Sequence, residues 1–256
     1  KDLQTSACCT AQAMPAHLRP LLADIHPEVQ DRFYGCGSPI PSELEGRTVL
    51  DLGCGSGRDC FLLSRLVGER GRVIGVDMTA EQLAVARRHV PWHTARYGYA
   101  LPNVDLRDGY IEDLESAGIA SNSIDVVVSN CVINLSPDKG RVFSEILRVL
   151  KPGGELLFSD VFADRRLPIA LQQDPVLLGE CLGGALYDED FRRLLLDRGC
   201  RDYRIVESTP LALGNAEIER AVGMVAFTSR TVRAFKLDLE DRCEDYGQVA
   251  CYRGTI

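Results

Sequence analysis

The chain has 256 residues, a formal net charge of −8 and 45% hydrophobic residues. That apolar share suffices for a packed core, and the negative charge argues against nucleic acid as a partner. No uninterrupted apolar run is long enough to span a membrane and no secretory signal opens the chain, so we expect a cytoplasmic protein without a membrane partner.

The first 46 residues lack the alternation that strands produce. Apolar residues fall at helical spacing at positions 18, 21, 22, 25, 29 and 33, and prolines at 15, 20 and 27 mark breaks or first turns. Residues 1–46 are therefore predicted to form an N-terminal helical cap.

From Thr48 onward, short apolar runs alternate with longer amphipathic ones. This pattern is typical of a parallel sheet covered by helices. A capping-box pattern at 79–82 and the pair Ser136-Pro137 predict two helix starts, and residues 151–154 (KPGG) are predicted to turn from the second helix into the fifth strand. The five predicted strands are 48–52, 72–76, 104–107, 124–129 and 155–159.

The alternation lapses after Asp160. We expect a helical stretch at 167–182, a helix at 188–198 and a β-rich end at 227–237. The fold class is thus α/β, with an N-terminal cap at 1–46, a parallel-sheet unit at 47–160 and an appended α+β region at 161–256 that would cover a substrate.

A glycine-rich loop at 51–57 (DLGCGSG) follows the first strand and opens a helix. Glycines permit a tight turn and close approach of the backbone to a ligand. Asp77 ends the second strand, where a carboxylate can accept hydrogen bonds from ribose hydroxyls. By itself such a loop is also compatible with a dinucleotide site or a plain strand-to-helix turn.

The ordered set of motifs narrows this choice. Gly109-Tyr110-Ile111-Glu112 follows strand three, residues 125–130 (DVVVSN) form strand four, and KPGG precedes strand five. Over residues 48–160 the chain resembles the class I methyltransferases that use S-adenosylmethionine (AdoMet), which have a Rossmann-like parallel sheet. The resemblance implies AdoMet as cofactor, bound by Asp51, Gly53, Gly55, Gly57, Asp77, Met78, Ile111 and Glu112.

The residues just after strand four face the methyl group in such a fold, because ligands lie across the carboxyl ends of the strands. Here they are 130–135 (NCVINL), which place a thiol at that point and no proline. The four histidines lie away from the strand ends, so no histidine base is expected there. None of the ten cysteines forms a C-x-x-C pair, which excludes the usual zinc patterns but permits a thiol-only site for a thiophilic ion.

Several segments resemble the arsenite methyltransferases over nearly the whole chain: 2–5 with Cys8, 34–37 (YGCG), 57–60 (GRDC), 129–135 and 179–186 (GECLGGAL). The resemblance implies Cys131 and Cys181 as an arsenic-binding pair, Cys36 as the third thiol for As(III) and Cys8 as a redox partner. Cys9 is adjacent to Cys8 and leaves that assignment open. Tyr34, Asn130 and Val132 match positions that contact AdoMet.

The resemblance also implies the reaction: methylation of As(III) held by cysteine thiolates, giving methylated arsenicals and serving detoxification. Arsenic would arrive as a thiol adduct, and glutathione or thioredoxin would act as reductant. We expect a monomer, and a chain that ends about where the family's further C-terminal domain would begin. Two rivals stay open: a methyltransferase for a small carbon or oxygen acceptor, and an arsenical or metal sensor without turnover. Cys60, Cys200, Cys243 and Cys251 are expected to be structural, with Cys60 as the first candidate exception because it lies on the helix after the glycine loop, and Cys54 fills a variable position inside that loop.

Overall fold

The structure is a computed structural model that describes Thr5, residues 14–239 and Gly247. Its centre is an eight-stranded sheet in which β1 to β5 run parallel, β6 pairs parallel with β5, and β7 and β8 run antiparallel. The strand order is β3-β2-β1-β4-β5-β8-β7, with β6 beside β5. The strands are β1 Thr48–Leu52, β2 Arg72–Asp77, β3 Val104–Asp108, β4 Ile124–Asn130, β5 Leu150–Ala163, β6 Leu186–Tyr187, β7 Tyr203–Pro210 and β8 Phe227–Phe235.

Nine α-helices and one 3₁₀ helix are found among the described residues. None of these helices combines the length and the hydropathy needed to cross a bilayer. The α-helices are α1 Arg19–Leu22, α2 Pro27–Asp31, α3 Arg58–Val67, α4 Ala80–Tyr97, α5 Lys139–Val149, α6 Ile169–Gln172, α7 Pro175–Gly179, α8 Asp188–Leu196 and α9 Ala216–Val222, and the 3₁₀ helix is Ile133–Leu135.

Helices cover both faces of the parallel strands, which explains why those strands are apolar on both sides. On one face, Leu50 and Leu52 of β1 pack with residues of α5 such as Phe143. On the other, Val49 packs with residues of α3 and α4, including Leu63 and Leu83. The five predicted strands are confirmed, and the ligand-binding edge lies where β1, β2 and β4 end.

Two local predictions are wrong. Residues 151–154 belong to β5 instead of a turn, because Gly153 and Gly154 exchange backbone hydrogen bonds with Lys236. The helix start predicted at 79–82 is confirmed, since α4 begins at Ala80 after the N-cap Thr79, although the Thr79 side chain makes no capping hydrogen bond. Helix α5 begins two residues later than predicted, because the Asp138 side chain caps it by accepting from the Arg141 backbone N–H, while the Ser136 hydroxyl accepts from the Asp138 N–H and donates to Glu112.

The N-terminal cap consists of two short helices whose apolar residues pack on α3. Ile25 and Val29 form a buried cluster with Phe61 and Leu62. The chain then crosses the carboxyl end of the sheet through residues 32–37, which we call the strap. The cap therefore serves to place the strap over the glycine loop.

Beyond Asp160 the prediction is partly confirmed. The helical stretch at 167–182 is divided into α6 and α7, because Asp174 caps a new helix that has Pro175 at its first position. The sequence analysis missed β7 and α9. Strands β7 and β8 extend the same sheet, so the division of the chain at residue 160 stays a prediction.

Candidate active site

A cavity of about 210 Å³ opens at the carboxyl ends of β1, β2 and β4. Gly53, Gly55 and Gly57 all have positive φ angles, of 71°, 53° and 86°, which favour glycine over any residue with a β-carbon. A β-carbon on Gly53 would overlap the side chain of Val132. The lining includes seven of the residues predicted to bind the cofactor: Tyr34, Asp51, Gly53, Gly55, Asp77, Asn130 and Val132.

The other four predicted cofactor residues lie outside this lining. Gly57 is the N-cap of α3, and the side chain of Met78 is 71% exposed. Ile111 is buried in the main apolar core, and Glu112 accepts the hydrogen bond from Ser136. Their assignment to AdoMet stays a prediction.

The structure adds cavity residues that sequence reasoning missed, of which Gln82 in α4 is the most informative. Its Oε1 is buried and has no hydrogen-bond partner among the described residues. A buried acceptor without a partner is costly unless a ligand or solvent supplies a donor. Gln82 lines the cavity, so a bound nucleoside with a free N–H or O–H group fits this position.

Two carboxylates, those of Asp77 and Asp51, line the cavity. The Asp77 carboxylate accepts hydrogen bonds from the backbone N–H groups of Gly55 and Thr79, each at 2.8 Å, which fixes its orientation. Asp51 is buried, and burial together with the nearby Asp59 raises its pKa to about 8. Asp59 in turn forms an ion pair with Arg58 at 2.7 Å.

Asn130, the last residue of β4, holds the strap against the sheet. Its Oδ1 accepts from the backbone N–H groups of Cys36 and Gly37 at 3.1 and 3.2 Å. Its Nδ2 donates to the carbonyl of Gly37 at 2.9 Å and to Asp59 at 3.1 Å. The amide thus uses all of its donors and two acceptor positions to place Cys36.

The strap brings Cys36 to Cys131, and the two are joined by a disulfide with a Cα–Cα distance of 5.8 Å. Cys181 lies beside them, with its thiol donating to the carbonyl of Cys131 at 3.4 Å. All three belong to one buried apolar cluster with Val161 and Leu182. Two of the three predicted arsenic ligands therefore do not offer thiolates in this state.

Backbone strain marks the same two positions that the family resemblance selected. Among the described residues, three other than glycine have positive φ: Asn122, Cys131 at 57° and Cys181 at 61°. For a residue with a β-carbon this conformation costs energy and is concentrated at functional sites. Both strained cysteines belong to the same buried apolar cluster.

A family model described as a methyltransferase domain matches residues 43–199. The arsenite methyltransferase of Aquipseudomonas alcaligenes is 59% identical over 256 residues, which are all of this chain and 73% of that protein. This chain belongs to the arsenite methyltransferase family. The human arsenite methyltransferase is 50% identical over 92% of this chain, and this chain spans 63% of its length.

A solved structure supports the same family. The crystal structure of an arsenic(III) S-adenosylmethionine methyltransferase from Chlamydomonas reinhardtii superposes with a TM-score of 0.87 at 51% identity, covering 92% of this chain and 79% of that one. The predicted fold class is therefore confirmed, as is the prediction of an AdoMet-dependent enzyme that methylates trivalent arsenic. The roles of individual residues stay predictions.

In this arsenite methyltransferase a buried carboxyl group that the sequence analysis overlooked lies beside the thiols. The carboxylate of Asp160 and the sulfurs of Cys36 and Cys131 all lie within 4.8 Å of one another. Burial raises the pKa of Asp160 to about 7. Its oxygens accept from the backbone N–H groups of Val161 and Asn134. The signal in the sequence is an acidic residue that follows Ser159 within the mostly apolar second half of β5, residues 156–163.

The segment 179–186 is docked on the same site by polar contacts. Asn134 Nδ2 donates to the carbonyl oxygens of Val161 and Cys181 at 2.7 and 3.3 Å. Thr5 donates through its backbone and its hydroxyl to Glu180, the neighbour of Cys181. Thr5, near the N-terminus, is thus linked by hydrogen bonds to Glu180, the neighbour of Cys181 in the thiol cluster.

Cys8, Cys9, Cys243 and Cys251 lie outside the described residues. Cys200 is buried, and its thiol donates to the carbonyl of Asp202. His26, His89 and His93 form an aromatic group with Trp92 between α2 and α4, away from the strand ends as predicted.

Proposed function

We propose that the chain methylates As(III) held by the thiolates of Cys131 and Cys181, with Cys36 as the third ligand. The observation that carries this is the position of Cys131: it lines the cavity of the glycine loop and also contacts both other cysteines. A group bound to its sulfur would therefore face the cofactor. Cys8 or its neighbour Cys9 is proposed as a further redox partner.

The disulfide supports the proposed need for a reductant. A thiolate of glutathione or thioredoxin would attack one sulfur of the Cys36–Cys131 bond, and a second thiol would resolve the mixed disulfide. Two electrons then reduce the protein disulfide to two thiols, and the reductant becomes a disulfide. Only after this step can three cysteine sulfurs meet one arsenic atom.

The thiol cluster suits a soft, neutral centre. The side chains of Cys36, Cys131 and Cys181 are 2%, 5% and 3% exposed, and thiolate ligands select thiophilic ions. As(III) delivered as a thiol adduct would exchange onto the three cysteines and release three small thiols. Its lone pair needs no general base, which agrees with the absence of histidine at the strand ends.

The cavity residues fit AdoMet, which supplies a sulfonium methyl group that a lone pair can attack, with S-adenosylhomocysteine as the leaving group. Gly53 and Gly55 allow the backbone to approach the ligand, and Asp77 is oriented to accept from ribose hydroxyls. Gln82 Oε1 provides a buried acceptor that a ligand can satisfy. Positioning of the two reactants is then the main contribution of the protein.

We propose a cytoplasmic monomer, because a reducing compartment would keep the Cys36–Cys131 pair available for turnover. Arsenic thiol adducts and the glutathione or thioredoxin system would be its partners, and removal of inorganic arsenic its purpose.

The test is arsenic speciation after incubation of the protein with AdoMet, arsenite and excess thiol. The parent and a Cys200→Ser control are expected to form methylated arsenicals, whereas Cys131→Ser and Cys181→Ser are expected to form none. Omission of the thiol should stop the parent after at most one turnover.

Other outcomes would select between the rivals. If the parent bound AdoMet and formed no methylated arsenical, a small carbon or oxygen acceptor or a sensor role would replace this proposal. If both serine variants kept full activity, the thiol site would be wrong while the family reaction would stand.

A further inference from the structure

A second pair of thiols lies beneath the glycine loop, separate from the cluster of Cys36, Cys131 and Cys181. Cys60 Sγ and Cys54 Sγ lie 2.7 and 2.8 Å from the point that a β-carbon on Gly75 would occupy. The two thiols therefore share one small space. Glycine at position 75 makes room for both sulfurs.

The pair is connected to the cofactor cavity. Cys54 lines that cavity, and Cys60, in the first turn of α3, is fully buried behind it. The Cys60 thiol donates to Asp51 Oδ2 at 3.2 Å, and Asp51 is itself a lining residue. A small ligand entering the empty cavity would therefore reach Cys54 first and Cys60 next.

We propose that Cys54 and Cys60 form a second arsenical site, which takes monosubstituted trivalent arsenicals of the type RAs(OH)₂ and excludes AdoMet while it is occupied. Two thiols match the two exchangeable hydroxides of such a compound. Two As–S bonds form, two As–O bonds break, and each thiol proton leaves with a hydroxide as water. Neither arsenic nor sulfur changes its oxidation state.

The number of thiols gives the site its selectivity. Arsenite has three exchangeable ligands and would keep one hydroxide in a buried space, where an unpaired polar group is costly. A dimethylated arsenical has one exchangeable ligand and cannot bridge the pair. The compound that fits is the one with a single carbon substituent.

Occupation of the Cys54–Cys60 site would regulate turnover, and this consequence rests on the proposed function. A monomethylated As(III) species forms after the first proposed transfer, once two thiols have given the methylated arsenic two electrons and become a disulfide. Its binding beneath the glycine loop would slow further turnover by competing with AdoMet. The binding itself does not depend on the proposed function.

The test uses the full chain carrying Cys131→Ser and Cys181→Ser, which removes the proposed catalytic pair, and measures AdoMet binding by calorimetry. Methylarsonous acid, CH₃As(OH)₂, is added at about ten times its own dissociation constant. Mutually exclusive binding then raises the apparent Kd for AdoMet about tenfold. Dimethylarsinous acid at the same concentration should leave this Kd unchanged.

Adding Cys54→Ser to this background should abolish the effect, and adding Cys200→Ser, which removes another buried thiol, should not. Each result is compared with the same variant's Kd without arsenical. If the Cys54→Ser protein fails to bind AdoMet, Cys60→Ser replaces it. Intact-mass measurement should show one arsenical fewer in the Cys54→Ser or Cys60→Ser protein. An unchanged arsenical count, or an AdoMet Kd that does not respond to methylarsonous acid in the background protein, would overturn the proposal.

Discussion

The side-chain amide of Asn130 is expected to determine whether Cys36 stays beside Cys131. In Asn130→Ala, the backbone N–H groups of Cys36 and Gly37 and the Gly37 carbonyl lose their partner. Cys36 is buried and Gly37 is half-buried. A buried polar group left unpaired costs about 1–3 kcal/mol, so we expect a loss of about 3 kcal/mol in the free energy of unfolding, measured by urea denaturation.

The same variant should form the Cys36–Cys131 disulfide more slowly after reduction. Without the Asn130 contacts, the strap position that brings Cys36 to Cys131 becomes less favourable by about 1 kcal/mol. Disulfide formation should then be about fivefold slower. The rate is followed by mass spectrometry during reoxidation with oxidised glutathione, scored on the peptides that contain the two cysteines.

Asn134→Ala is the matched control. It also removes a buried amide, but one that binds the carbonyls of Val161 and Cys181 instead of the strap. It should lower stability without slowing formation of the Cys36–Cys131 bond. If Asn130→Ala matched the parent in both stability and reoxidation rate, the strap would be held by other contacts and this reasoning would be refuted.

Three further outcomes are expected. Gly184→Ala should lower the free energy of unfolding by about 1–3 kcal/mol, because a β-carbon there would overlap the carbonyl oxygen of Asn134; a denaturation midpoint equal to that of the parent would contradict this. Burial lowers the pKa of His93, which stacks on Phe61, from 6.5 to about 4. The unfolded chain then binds the proton more readily, so stability should fall from pH 6.5 toward pH 4, and less steeply in His93→Gln, as urea titrations at several pH values can check. Burial raises the pKa of Asp160 from 3.8 to about 7; its contribution to stability is present below pH 3.8 and is lost as the pH rises through 7, and Asp160→Asn should reduce this dependence in the same titrations.

The amino-acid sequence by itself determined the parallel sheet and the cofactor edge. Strand β1 was predicted with its observed bounds, and the glycine loop was placed correctly at its end. Both signals are local: alternation of apolar runs sets the strands, and the positive φ angles of Gly53 and Gly55 require glycine. The family resemblance added a prediction of which cysteines bind arsenic, through motifs such as 179–186.

The tertiary structure alone decided how distant residues meet. Cys36 and Cys131 are 95 positions apart, and no spacing rule could predict that the strap, held by Asn130, joins them in a disulfide. The burial of Asp160 was equally hidden, because a carboxyl group acquires a raised pKa only from the side chains packed around it. Cys54 and Cys60 likewise lie close together beneath the loop because residue 75, on the neighbouring strand β2, is a glycine without a β-carbon. These contacts arise from packing between elements that are distant in sequence. Local sequence patterns therefore do not predict them.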